Sequence, residues 1–145
     1  MIAGEMERDA ETLDVRISSD VRHIDVVVAD VVRLAESWEY SRKHLALNLP
    51  VALTEALSNA ILRGNCEDPA KSVRVRAELT AERLVVEVSD EGLGFDLVAC
   101  TADPTAAGNI MREDGRGLFL MQKLMTRVER FTDGGNVVRL VLHRG

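Results

Sequence analysis

The chain has no Cys-x-x-Cys pair, no run of lysines or arginines, no internal repeat and no GxxxxGK[ST] string. Each absence removes a class of protein. Its two cysteines, Cys66 and Cys100, lie far apart and outside any Cys/His ligand spacing, so a structural zinc or redox motif is not expected, and reduced thiols are. The formal net charge is −6 with no basic stripe, which speaks against a nucleic-acid surface or a polybasic membrane anchor. Glu5, Glu7, Asp9 and Glu11 crowd the start, where a secretory leader would carry positive charge and then an apolar stretch. No segment reads as apolar enough to span a bilayer. The expectation is a cytoplasmic protein with no membrane and no direct nucleic-acid partner.

What is there is enough for one core. The chain has 145 residues, of which 46% are apolar, a size at which one domain buries its core without disulfides or a structural metal. A loose acidic tail over residues 1–11 and one domain over residues 12–145 are expected.

Leu13, Val15 and Ile17 alternate with polar neighbours at a period of two, the mark of a half-buried strand. After Ser19 or Asp20, either able to cap a helix, Val21, Ile24, Val28, Val31, Ala35 and Trp38 recur at helical spacing. A second helix is expected from about Asn48 to Arg63, with Pro50 in its first turn, Gly64 as its stop, and Leu53, Ala56, Leu57, Ala60 and Ile61 facing the core. Val73 to Leu79 and Leu84 to Val88 read as adjacent antiparallel strands. From Asp96 to Asp114 periodicity is lost, and a stretch that long is read as a lid. A third helix from about Arg116 to Thr126 and a closing hairpin around Asp133-Gly134-Gly135 complete the order. The sum is a two-layer α/β sandwich, a mostly antiparallel mixed sheet with three main helices on one face.

Three short segments carry chemistry. On the second helix Glu55 and Asn59 lie four apart, on one face and away from the Leu53/Leu57 stripe. Such a pair is usually solvated decoration, and only its company gives it weight. Asp90 ends a buried-looking strand and is followed by Gly92 and Gly94, which allow close backbone approach. A carboxylate there can accept from an exocyclic amine such as adenine N6, although Asp before Gly at a strand end is also a common turn. Gly115-Arg116-Gly117-Leu118 opens a helix whose first N–H groups and positive dipole end suit phosphates, with Arg112 and Arg116 nearby. Magnesium prefers oxygen ligands and keeps several waters, so one amide oxygen from Asn59 plus phosphate oxygens would serve it. Glu55, one turn away, could polarise an attacking hydroxyl or water. The glycines after Asp90 sit in no βαβ unit, so a Rossmann fingerprint is excluded along with the Walker loop.

Together these strings resemble the N, G1 and G2 boxes of the GHKL ATPases with the Bergerat ATP-binding fold: Glu55 to Asn65, Asp90 to Asp96, and Gly115 to Leu118. Within that superfamily the chain looks most like the bacterial anti-sigma-factor serine/threonine kinases, whose Glu-Ala-x-x-Asn-Ala-x-x-(basic)-Gly and Gly-Arg-Gly-(Leu/Ile)-Phe-Leu-Met strings appear here as Glu55 to Gly64 and Gly115 to Met121. The resemblance implies ATP and Mg2+ as cofactors, Asn59 on the metal, Glu55 as catalytic base and Asp90 on adenine. It implies a nucleotide pocket shaped by Gly92, Gly94, Gly115 and Gly117, with Phe95, Arg112, Arg116 and Leu118 from the same region. Arg63 stands where that group commonly has His, and both a phosphate contact and a charged edge remain open for it. The implied partners are a sigma factor and a STAS-domain antagonist that is phosphorylated, with the kinase a homodimer. Two alternatives are a non-catalytic ATP-binding module that sequesters a protein, and the ATP-binding part of a split histidine kinase. His23, His44 and His143 are scattered and offer no phosphoacceptor hairpin.

Overall fold

The structure is a computed structural model and describes residues 10–92 and 116–145. Strand β1 (Glu11–Ser18) leads through a 3-10 turn, Val21–His23, into helix α1 (Ile24–Glu36). Helix α2 (Leu49–Asn59) lies between two π-helical turns, His44–Asn48 and Ala60–Gly64. Strands β2 (Ser72–Leu79) and β3 (Arg83–Ser89) follow, then helix α3 over residues 116–124, then β4 (Arg127–Thr132) and β5 (Asn136–His143). The strands lie in the order β1-β2-β3-β5-β4. Every neighbouring pair is antiparallel.

Strand alternation divides the sheet into two faces. Val73, Val75, Ala77 and Leu79 of β2 point to one side with Leu84, Val86 and Val88 of β3 and Leu140 and Leu142 of β5, and all join one core with Val31, Leu53, Leu57, Ile61 and Met121 of the helices. Burying one such aliphatic side chain stabilises the fold by about 1.5–3 kcal/mol. The face away from the described helices is mostly polar. There Arg139 pairs with Glu87 at 2.6 Å and lies over the Phe131 ring at 4.8 Å.

Several sequence expectations need correction. Ser19 and Asp20 were equal candidates for the cap, and Asp20 takes it, accepting from Arg22 N–H at 2.9 Å. Ser19 is instead buried, its hydroxyl donating to Lys71 C=O at 2.8 Å. In α1 Val27, which the expected stripe left out, is buried with Ile24, Val31 and Ala35, Val28 is partly buried against the same core, and Val21 in the turn before it is exposed. The second helix does not begin at Asn48: residues 42–64 are continuously helical. Pro50 has no N–H to give, and the π turn just before it, closed by Leu49 N–H on His44 C=O, absorbs the irregularity. As a result His44–Gly64, 21 residues, is long and apolar enough to cross a membrane by length and composition, contrary to the expectation. In this fold its apolar side chains Leu49, Leu53, Leu57 and Ile61 are fully buried in the core. Cys66 is disulfide-bonded rather than a free thiol. The expected lid lies outside the described residues.

Candidate nucleotide site

Helix α2 presents Glu55 and Asn59 on the face that meets the start of α3. The contact is backbone to side chain: a β-carbon on Gly117 would lie 2.8 Å from Glu55 Oε2 and 3.5 Å from Asn59 Nδ2. A side chain at residue 117 would make the Glu55 carboxylate shift from this position. At the other end of α3, Asn48 Nδ2 donates to Leu124 C=O at 2.7 Å, filling a carbonyl that the helix end leaves open. Asn48 and Gly117 thus fix α3 antiparallel on α2. Between them opens a cleft of about 330 Å3, lined by Glu55, Ser58, Asn59, Leu62, Arg63, Arg116, Gly117 and Leu120. Arg116 is exposed at its rim, and Leu118 turns partly into the core.

Asp90 follows β3, a central strand, and its N–H donates to Asn136 C=O at 2.9 Å. Its two carboxyl oxygens differ. Oδ1 accepts from Gly92 N–H at 2.8 Å, Asn136 Nδ2 at 2.9 Å and Asn136 N–H at 3.3 Å. Oδ2 accepts from none of the described residues and faces Gly64, where a β-carbon would lie 2.0 Å away. Burial pushes the Asp90 carboxyl above the ordinary aspartate range, with the hydrogen bonds from Gly92 and Asn136 opposing that shift. Asp90 does not line the cleft of Glu55. It meets the same helical stretch further on, at Gly64, the last residue of the π turn Ala60–Gly64.

Asn65, fully buried, locks that junction. Its Nδ2 donates to Ser19 Oγ at 2.9 Å and Ser72 C=O at 2.8 Å, while its Oδ1 accepts from Glu91 N–H at 2.7 Å. Sequence reasoning had Asn65 only as the end of the N box, Gly64 as the stop of a helix and the last residue of the family string, and Asn136 as the start of a strand. A buried polar clamp leaves no periodic trace. Gly94, Phe95, Arg112 and Gly115 lie outside the described residues.

The donor set suits a metal that comes with its ligand. Among the described residues no group of three or more His, Cys, Asp or Glu could hold an ion. Asn59 Oδ1 offers one neutral oxygen, which fits a magnesium ion otherwise held by phosphate oxygens and water.

The Histidine kinase-like ATPase domain family matches residues 5–142, and the chain belongs to that family. The family implies the use of ATP. Within it the chain resembles bacterial anti-sigma serine kinases. It is 26% identical over 140 residues to the serine-protein kinase RsbW of Bacillus subtilis, covering 93% of this chain and 87% of that one. It is 28% identical over 101 residues to the anti-sigma F factor of Clostridium beijerinckii, covering 67% and 68%. Among solved structures, the RsbU and RsbW domains of Rv1364c from Mycobacterium tuberculosis align with a TM-score of 0.66 at 16% identity, over 91% of this chain and 32% of that larger one.

Proposed function

We propose that this protein is an ATP-dependent serine/threonine kinase that acts as an anti-sigma factor: it sequesters a sigma factor and phosphorylates a STAS-domain antagonist. The observation that carries the reading is the approach of Gly117 to both Glu55 and Asn59, which sets a helix start, a carboxylate and an amide side chain at one cleft. Bound ATP with magnesium supplies the transferable phosphoryl group and neutralises its charge. The protein's part is positioning. Asp90 Oδ2 accepts from the adenine N6 amine, Asn59 Oδ1 holds the metal, and the N–H groups opening α3 with Arg116 hold phosphate oxygens. Gly92, Gly94, Phe95, Arg112, Gly115 and Leu118 complete the pocket in this reading. Glu55 takes the proton from the partner's hydroxyl as its oxygen bonds to the γ-phosphorus and the bond from that phosphorus to the β-γ bridging oxygen breaks. The working unit is a cytoplasmic homodimer, with no membrane and no nucleic acid in its reaction.

The relatives named RsbW are serine-protein kinases and one relative is an anti-sigma factor, which supports the two halves of this reading. The test is incubation of wild type and Glu55→Ala with γ-labelled Mg-ATP and a STAS-domain protein. Label is expected on a serine or threonine of the partner with wild type only, while both proteins bind ADP. Nucleotide binding with no transfer, together with normal partner release by Glu55→Ala, would instead identify a non-catalytic switch.

A further inference from the structure

The π turn Ala60–Gly64 starts one residue beyond Asn59 and closes on the fifth residue, through Asn65 N–H on Ala60 C=O at 2.8 Å. Single π turns inside helices recur at functional sites. Residue 63 lies one turn beyond residue 59 on the same side, and there Arg63 Nη1 donates to Asn59 Oδ1. An asparagine side chain has a single acceptor atom. The guanidinium therefore sits on the oxygen that would bind metal.

We infer that Arg63 is an internal placeholder for magnesium, occupying the metal-ligand oxygen of Asn59 until a metal-nucleotide complex displaces it. The inference rests on the assignment of Asn59 as the metal ligand. A magnesium ion without nucleotide would gain one neutral oxygen and would have to break a charge-assisted hydrogen bond, so it does not settle there. With a polyphosphate in the cleft the balance changes. Arg63 lines the same cleft as Gly117 and Arg116, so phosphate oxygens attract the guanidinium away as the metal takes its place. Metal and nucleotide then enter together. Arg63 is half-buried rather than deeply enclosed, so its competition with the metal amounts to a factor of several, about fivefold.

The measured quantity is the metal gain, the ratio of the Kd for a fluorescent ADP analogue in EDTA to its Kd in magnesium. It is read for wild type, Arg63→Ala and Arg63→Met, the last keeping the packing of the aliphatic stem, and for Asn59→Ala with and without Arg63→Ala. Both Arg63 variants are expected to enlarge the gain about fivefold and to lower the magnesium midpoint. Asn59→Ala is expected to abolish the gain, and adding Arg63→Ala to it should change nothing further. In nucleotide-free protein Arg63→Met should also shift the Asn59 side-chain amide NMR resonances. A wild-type gain that the Arg63 variants leave unchanged or reduce overturns the placeholder alone. A wild type that binds nucleotide with no metal gain removes the metal role of Asn59 and the inference with it.

Discussion

The α-carbon of Gly64 faces Asp90 so closely that a β-carbon on residue 64 would stand 2.0 Å from Asp90 Oδ2. The carboxyl cannot step aside, because its other oxygen is held by Gly92 and by both donors of Asn136. Gly64→Ala is therefore expected to destabilise the protein by about 1–3 kcal/mol, the usual cost of overpacking. It should also weaken ADP binding at least tenfold. Thermal unfolding and a nucleotide titration read the two effects, and normal affinity in a folded variant would show that Asp90 is not held by this contact.

Asp90 gives the site a distinctive acid response. A carboxyl whose pKa is higher folded than unfolded contributes stability while protonated; that contribution is complete below the ordinary aspartate value and disappears as pH rises through the raised one. Wild type should thus gain stability relative to Asp90→Asn on acidification through that window. Nucleotide affinity moves the other way, because a protonated Oδ2 donates rather than accepts. Paired melting curves and ADP titrations across acidic pH check both signs. In Asp90→Asn the donors from Gly92 and Asn136 keep the amide oxygen at the Oδ1 place, which turns the amide nitrogen outward. At least a tenfold loss of adenine-nucleotide affinity is expected.

Asn65→Ala leaves Ser72 C=O and Glu91 N–H without their side-chain partner and removes a third bond to Ser19. A loss of about 3 kcal/mol is expected from buried polar groups left unsatisfied. Chemical denaturation measures it. Because Glu91 directly follows Asp90, a residual folded population should also bind nucleotide more weakly.

The chain's only tyrosine, Tyr40, is buried, and its hydroxyl donates to Thr80 C=O at 3.4 Å. Desolvation raises its pKa to about 12, opposed by the nearby charge of Arg144. Neutral Tyr40 therefore contributes stability that is present below the unfolded value and is lost as pH rises toward about 12. An ultraviolet phenolate titration of the native protein, free of other tyrosines, should show a late transition coupled to unfolding. Ionisation at the ordinary value in the folded state would refute this.

Much of the fold was legible because it is written in local periods. Val73 to Leu79 and Leu84 to Val88 alternate cleanly, and they pair as an antiparallel hairpin. The stripe of α1 was harder to phase, since Val26, Val27 and Val28 offer an apolar residue at every rotation. The start of α2 was hidden by Pro50, because a π turn leaves no mark in composition. The pairing of β3 with β5 joins strands separated by the whole of α3, and only that pairing brings Asn136 beside Asp90. Of the site, helical spacing puts Glu55 and Asn59 on one face; the approach of Gly117 to them, the clamp by Asn65 and the cover of Asn59 by Arg63 depend on packing and side-chain directions that spacing does not give.

The Asp90 oxygen that accepts from none of the described residues also bears on discrimination between purines. Ionised, it can only accept, and its orientation is fixed before any base arrives. A guanine ring would turn a carbonyl toward it and set two lone pairs against each other, so on the proposed reading GTP is rejected by repulsion rather than by size.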